Sequence, residues 1–173
     1  MLDRAGVTIA AVHVVGSNND LNPRTGLGYS TPTSAQLAEE TARAGADAAW
    51  IRTAFATATA NHSRAVILLM HADMFVGTPS TTYRTAFQSI VHTIAAESVA
   101  FKRPVFLFNG DSHSFASNKP LTKPTWLSFY GISGPVNNVP RITVEGGTSV
   151  DEWVKVNVVS SSSVLEIHRV SYR

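Results

Sequence analysis

The chain alternates short continuous apolar runs with longer stretches in which apolar residues recur every three or four positions. Continuous runs rich in β-branched residues are typical of strands that are covered on both faces. Such runs predict three buried strands, at 7–15, 64–70 and 104–108. The helical periodicity predicts two amphipathic helices, at 33–60 and 81–101. Thr33 and Gln36 have the spacing of a capping box at the start of the first helix.

From residue 119 onward the pattern changes to short segments of alternating apolar and polar residues, separated by Gly, Pro, Asn and Ser. This pattern predicts antiparallel strands that are joined by turns. The four segments are TWLSFYGI, PRITVEG, EWVKVNVV and VLEIHRVSYR. With the earlier elements, they predict one α/β domain over 1–173 with a mixed sheet. Gly45 lies inside the first predicted helix and is expected to bend or split it.

Composition and charge narrow the class of protein. With 44% apolar and 15% charged residues in a chain of 173, the composition is that of a globular domain with a core. No apolar run approaches the roughly 20 residues that span a bilayer. No signal peptide is recognised either, so we expect a soluble protein, and the sequence does not indicate its cellular compartment. The formal charge of +2 and the scattered basic residues argue against a nucleic-acid partner. The lack of Cys excludes disulfides and thiolate metal sites.

Polar residues follow each of the three apolar strands at its carboxyl end. They are Asn18, Asn19 and Asp20 after the first strand, His71 and Asp73 after the second, and Asp111 and His113 after the third. Because the carboxyl ends of strands in an open α/β sheet form the ligand crevice, we expect these side chains to converge. Asn, Asp and His supply the oxygen and imidazole ligands that Mn, Fe and Zn prefer. The sequence therefore predicts a divalent metal site at this edge.

Ser112, between Asp111 and His113, suggests a different chemistry, that of a nucleophilic serine. A catalytic serine needs a histidine base within hydrogen-bond reach. The single later histidine, His168, lies in an alternating strand and has no aspartate three positions before it. We therefore do not expect Ser112 to be a nucleophile.

The candidate ligands lie in a series of segments that extends over residues 7–172, namely VVGSNND, WIRTAF, AVILLMHADMF, PVFLFNGDSHSF, NKPL, PRITVEGG and WVKVNVV. In this order and spacing the segments resemble the C-terminal half of a calcineurin-like metallophosphoesterase, of the branch whose last metal motif is Gly-Asp-Ser/Thr-His. The resemblance implies a layered α/β/β/α sandwich and hydrolysis of phosphomonoesters or phosphodiesters by a metal-activated water. It also implies that the metal ligands are Asn18, His71, Asp111 and His113, with Ser112 as a spacer.

The chain departs from this family in two motifs, Asp-x-His and Gly-Asp-x-x-Asp, which the family carries before the asparagine motif and which are missing here. Because they supply most ligands of the first metal, we expect one bound ion (Mn, Fe or Zn) rather than two. Many relatives have a proton-donating histidine where Asn19 stands, so the resemblance makes Asn19 and Asp20 the candidate catalytic residues, with Asp20 as the candidate proton donor. The expected function is a metal-dependent phosphoesterase with an incomplete site; the alternative is a catalytically inactive domain with a binding or structural role. We expect a second copy of the chain to cover the face left by the missing strands, in a homo-oligomer.

Overall fold

The computed structural model describes residues 1–79, 85–147 and 151–172. Its strands are β1 (Leu2–Arg4), β2 (Val7–Ala11), β3 (Ala65–Leu69), β4 (Val105–Asn109), β5 (Ala116–Asn118), β6 (Arg141–Thr143), β7 (Glu152–Val158) and β8 (Leu165–Ser171). The first six form one mixed sheet with the order β1-β2-β3-β4-β6-β5, and the last two form a separate antiparallel hairpin. The predicted α/β class with a mixed sheet is confirmed.

The described residues contain three right-handed α-helices, α1 (Ser34–Ala60), α2 (Gln88–Phe101) and α3 (Pro124–Tyr130). They also contain three short 3₁₀ helices, at Thr25–Leu27, Thr85–Phe87 and Pro120–Thr122. The predicted capping box of α1 is present, since the Thr33 hydroxyl accepts from the Gln36 N–H at 3.2 Å and Gln36 Oε1 accepts from the Thr33 N–H at 3.0 Å. The helix continues through Gly45, which therefore does not split it. Residues 81–84 of the second predicted helix lie outside the described residues. None of the helices in the described ranges is long and apolar enough to cross a membrane.

Strands β2, β3 and β4 run parallel in the centre of the sheet, and their carboxyl ends lie at one edge. Ala11 is paired with Leu69, and Leu69 with Phe108. Asn109, one residue further along β4, is paired with Thr143 of the parallel strand β6. The segments that leave β2, β3 and β4 therefore start side by side, which is the arrangement that the sequence predicts for the candidate ligands.

Each face of the sheet is covered by a different layer. The helices cover one face and form the larger core with it, which includes Val14, Ile51, Leu68, Ile90 and Leu107. The β7–β8 hairpin covers the other face in a second core, which includes Ile67, Phe106, Phe108, Ile142 and Leu165. Between the sheet and the hairpin remains a cleft of about 480 Å³ with a mainly apolar lining, which includes Ile9, Leu69 and Val156.

The segment TWLSFYGI forms α3 rather than the predicted strand, and local contacts explain the difference. Pro124 occupies the first turn, where its missing N–H costs nothing, and Gly131 ends the helix with a φ of 64°. Trp126 and Tyr130, four residues apart, both pack on Phe75 with ring centroids 5.5 and 5.7 Å away. An apolar spacing of four residues is helical, and the alternating pattern was the wrong interpretation.

Two further expectations on strands are corrected. Antiparallel pairing holds for β7 with β8, as predicted, whereas β6 pairs parallel with β4 and antiparallel with β5. The first predicted strand ends at Ala11 instead of residue 15. Val12 and Val14 are buried although they lie beyond the strand, because this stretch packs under the helices. Their apolar character indicates burial and not an extension of the sheet.

Candidate metal site at the carboxyl edge of the sheet

The segment that leaves β2 folds into a single left-handed turn at Gly16–Asn19. Four consecutive residues, 17–20, have φ values between 55° and 64°. The Asp20 N–H donates to Gly16 O at 3.0 Å, and the Asn22 N–H donates to Ser17 O at 3.1 Å. Left-handed backbone costs roughly 1–2 kcal/mol per residue, although Asn and Asp bear it better than other non-glycine residues. The SNND sequence is therefore suited to this turn, but contacts from elsewhere have to hold it.

Asp111 lies directly against this turn. A Cβ atom at Gly16 would lie 2.7 Å from Oδ1 and 2.9 Å from Oδ2 of Asp111, so glycine is required for the carboxylate to occupy this place. The Asp73 N–H donates to Oδ2 of Asp111 at 3.3 Å. Asp111 itself has a φ of 68°, which is left-handed. Its carboxylate is thus held between the segments that follow β2 and β3.

His71 and Asn18 complete the group around the turn. Nδ1 of His71 accepts from the Gly16 N–H at 3.2 Å, so in the neutral ring the proton is on Nε2. Asn18 is buried, and its Oδ1 accepts from the Ala86 N–H at 3.2 Å. A carbonyl oxygen that accepts one hydrogen bond retains a second lone pair. Three of the four predicted ligands, Asn18, His71 and Asp111, are therefore arranged around one turn.

Two cavities adjoin at Asp111. The smaller has a volume of about 330 Å³, and its lining includes Ser17, Asn18, Asn22, Asp73 and Asp111. The larger has a volume of about 550 Å³, and its lining includes His13, Gly16, Asp20, Arg43, His71 and Asp111. Because Asp111 borders both, a small charged group that enters either cavity meets this carboxylate.

His113, the fourth predicted ligand, is not part of this group. Its side chain is exposed and packs on Gly147, where a Cβ atom would lie 2.5 Å from Nδ1. Gly147 follows β6 and has a φ of 82°. His113 lines neither of the two cavities that border Asp111. His113 itself has a left-handed φ of 58°.

The two predicted catalytic residues, Asn19 and Asp20, have different surroundings. Asn19 is completely buried, and its side-chain amide is bonded to Glu40 and Arg43 of α1. Asp20 lines the larger cavity, and its Oδ2 accepts from Arg24 Nη2 at 3.0 Å. Asn19 is therefore a structural contact of the turn, whereas Asp20 faces the space where a ligand would bind.

A buried ion pair supports the loop that carries Asp111. Arg141 on β6 and Asp73 are both buried, and Arg141 Nη1 donates to Oδ1 of Asp73. The Ser112 hydroxyl donates to Oδ2 of the same carboxylate at 2.9 Å. Burial lowers the pKa of the Arg141 guanidinium, and the charge of Asp73 opposes this effect. Ser112 thus links two loops through a hydrogen bond.

The side chains at this edge carry oxygen and nitrogen donor atoms. Within residues 1–79, 85–147 and 151–172, no three His, Asp or Glu side chains come together as a metal site. The Asp111 carboxylate and Asn18 Oδ1 are oxygen donors of the kind that divalent ions bind. The Gly16 N–H and an ion would compete for Nδ1 of His71. His71 would therefore become a ligand only when this hydrogen bond opens.

Asp47 on α1 is a buried titratable group near the larger cavity. Its Oδ1 accepts from the His13 N–H at 3.1 Å, and its Oδ2 has no hydrogen-bond partner among the described residues. Burial raises the pKa of the Asp47 carboxyl above its ordinary value of 3.8, while the His13 amide and the charge of Arg43 oppose the rise. The folded protein thus binds this proton more tightly than the unfolded chain does. The resulting stabilisation is complete below about pH 3.8 and is lost as the pH rises through the raised pKa.

We expect Asp47→Asn to remove this pH dependence, because Asn keeps an acceptor for the His13 N–H but carries no charge. Relative to the parent protein, the free energy of unfolding of the variant should rise with pH, by at most about 1.4 kcal/mol per pH unit. Urea unfolding at several pH values between about 4 and 7 measures this difference. Asp3→Asn, an exposed position on β1, is the control. A difference that stays constant over this range would contradict the expectation.

Compared with known proteins, the chain matches no family model, no curated protein and no solved structure. The α/β class rests on the sheet and its helices. The likeness to calcineurin-like metallophosphoesterases rests on the order of the sequence segments and stays a prediction.

Three residues that shape this edge were not predicted from the sequence: Gly16, Arg43 and Arg141. A glycine directly before SNND at a strand end is a recognisable signal, because it allows close approach of another group. Arg141 at the start of an apolar strand needs a buried partner, but the sequence does not say which. The contact of Arg43 with Asn19 joins residues 24 positions apart, and no local pattern indicates it.

Proposed function

We propose that the chain binds one divalent ion at the carboxyl edge of its sheet and uses it to hydrolyse phosphate esters. The observation that supports this most is the position of Asp111, whose carboxylate lies against Gly16 and borders both cavities. In this proposal Asp111 and Asn18 hold the ion, and His71 joins them when its bond from Gly16 opens. A bound divalent ion polarises a phosphoryl oxygen and lowers the pKa of its water.

The chain's own residues supply the surroundings of the substrate. Arg43 borders the larger cavity together with the carboxylates of Asp20, Glu39 and Asp111. Because negative groups outnumber the arginine there, an anionic ester would enter this cavity only with a bound divalent ion that offsets them. Asp20 and His13 line the same cavity and are the candidate groups for proton transfer to the leaving oxygen. Because Asp20 accepts a hydrogen bond from Arg24, its transfer role requires that this pair opens. Asn19 does not take part in proton transfer in this proposal.

The proposed fold family is that of the calcineurin-like metallophosphoesterases. The support is a sheet with helices on one face and only a two-stranded hairpin on the other, next to a cleft of about 480 Å³. A second copy of the chain that covers this apolar surface stays a prediction. Light scattering at micromolar concentration checks it, and a folded monomer would contradict it.

A second candidate function is a domain that binds an ion or a phosphate ester without turnover. It is favoured by the limited donor set of the described residues, in which no three His, Asp or Glu side chains form a metal site. Both candidate functions include binding of the ion, but only the first includes hydrolysis of the ester. Binding of Mn²⁺ without metal-dependent hydrolysis would favour the second.

The test is Mn²⁺ binding by calorimetry, followed by hydrolysis of p-nitrophenyl phosphate and bis(p-nitrophenyl) phosphate before and after chelation. We expect activity that disappears with chelator and returns with Mn²⁺.

Gly16→Ala should weaken Mn²⁺ binding because its Cβ would displace the Asp111 carboxylate. The expected loss is about 10- to 100-fold, the size typical for changes that disturb the support of a ligand. Gly26→Ala is the control, since a Cβ there has no neighbour within 4 Å. Absence of Mn²⁺ binding by the parent protein would refute the proposal.

A further inference from the structure

We propose that three polar residues of α1, Gln36, Glu40 and Arg43, are positioning residues that hold the left-handed turn so that Asn18 faces Asp111. These three residues, here named the polar stripe, recur at intervals of four and three positions and so lie on one face of the helix. The importance of the polar stripe for ion binding rests on the proposed function. Its effect on the conformation of the turn does not.

Gln36 holds the end of the turn through main-chain carbonyls. It is buried, and its Nε2 donates to Asp20 O at 2.8 Å and to Asn22 O at 3.2 Å. Its Oε1 is used in the capping box with Thr33. The same side chain thus fixes the start of α1 and the exit of the turn, which sets the distance between them.

Glu40 and Arg43 hold the centre of the turn through Asn19. The side-chain amide of Asn19 donates to Glu40 Oε1 at 3.1 Å and accepts from Arg43 Nη1. Arg43 Nη2 also donates to the main-chain oxygen of Asn19 at 2.9 Å. Glu39 fixes the guanidinium in this orientation through two hydrogen bonds, at 2.7 and 2.9 Å. Both polar ends of a completely buried Asn19 are therefore bonded to α1.

These contacts oppose a local preference of the chain. The turn has four successive non-glycine residues in the left-handed region, a conformation that residues of this kind do not keep as a run on their own. Asn18 and Asn19 are adjacent in it, so a turn that relaxes around Asn19 moves Asn18 as well. The polar stripe therefore decides whether Asn18 stays beside the cavity that Asp111 borders.

Arg43→Met tests the inference, with Arg52→Met as the matched control on the same helix. Arg52 is exposed, and its Nη2 donates only weakly, to Thr93 Oγ1 at 3.5 Å. We expect amide hydrogen exchange of Asp20 and Asn22 to become at least tenfold faster in Arg43→Met, while the amides of β3 keep their parent rates. The Mn²⁺ dissociation constant should rise about tenfold in the same variant. The control should change neither quantity.

Two outcomes would overturn the inference: parent amides at Asp20 and Asn22 that already exchange as in an unfolded chain, or unchanged exchange at both in Arg43→Met. If Arg43→Met also accelerates the β3 amides, its fold is disturbed. In that case Glu40→Leu decides, because it keeps Arg43 but removes the acceptor for the Asn19 amide and a nearby negative charge. It should accelerate the same two amides. If the parent binds no Mn²⁺, the proposed function fails while the exchange measurement still decides the role of the polar stripe.

Discussion

Replacing Asp111 by asparagine is expected to lower the affinity for Mn²⁺ by at least about 100-fold, which is more than the loss of a supporting contact would cause. The same substitution should abolish metal-dependent phosphate ester hydrolysis. Asparagine has the same shape and keeps an acceptor for the Asp73 N–H, which donates to Oδ2 of Asp111 at 3.3 Å. The substitution removes the negative charge, which the proposed ion needs because its other two proposed ligands, Asn18 and His71, are neutral. Calorimetry with Mn²⁺ and the chromogenic phosphate esters measure both effects.

Asp3→Asn is the control for this variant, because it makes the same substitution at an exposed position on β1. Its Mn²⁺ affinity should equal that of the parent protein. Thermal unfolding without metal should differ little between Asp111→Asn and the parent, since the substitution preserves the local hydrogen bond. An Asp111→Asn variant with parent affinity for Mn²⁺ would show that the ion binds elsewhere.

Arg141→Met is expected to have the largest effect on stability, a loss of about 3–5 kcal/mol in the free energy of unfolding. Arg141 and Asp73 form a buried ion pair, and the methionine leaves the carboxylate without its charged partner. The Phe75 N–H and the Ser112 hydroxyl still donate to Asp73, but neither neutralises its charge. Such a loss is a large fraction of the 5–15 kcal/mol by which domains are typically stable. Urea unfolding measures it.

Two further variants separate this effect from a general effect of losing arginine. Arg169→Met removes the surface pair of Arg169 with Glu152, whose atoms are 2.7 Å apart, and should cost much less stability than Arg141→Met because water screens an exposed pair. The double variant Asp73→Asn with Arg141→Met removes both charges of this pair and should recover part of the stability lost in Arg141→Met. A double variant that is as unstable as the sum of the single ones would contradict this explanation.

The sequence predicts the elements whose periodicity is long and unbroken. The capping box of Thr33 and Gln36 places the start of α1 within one residue of its observed position, because both halves of that signal are local. Short segments are less certain, as the helix at Pro124–Tyr130 shows, because eight residues carry too few apolar positions to separate a period of two from one of 3.6. The predicted first strand is too long for a related reason. Val12 and Val14 are apolar because they are buried, and buried residues are apolar inside a strand and outside it.

The strand ends predict which polar residues lie at the same edge of the sheet. They do not predict the conformation of the loops that follow. His71 and Asp111 each lie two residues beyond a central parallel strand, and the register of the strands places them at one edge. Asn18 lies seven residues beyond β2, and its position depends also on the left-handed turn. His113 lies only two residues beyond Asp111, yet its position depends on two left-handed residues within the same loop. Single dihedral angles of this kind are not encoded in a residue pattern, since Asp and His adopt both signs of φ.

By itself, the sequence determined the class of the fold, the central elements and the edge of the sheet at which polar residues meet. Periodicity is a local property of the chain, and helices between consecutive strands favour a parallel arrangement of those strands. Only the tertiary structure decided which of these residues stay together. Gly16 admits the Asp111 carboxylate, Arg141 neutralises Asp73, and Arg43 binds Asn19. Each of these contacts joins residues more than 20 positions apart, and each depends on a close approach or a buried charge that exists only after the layers have packed.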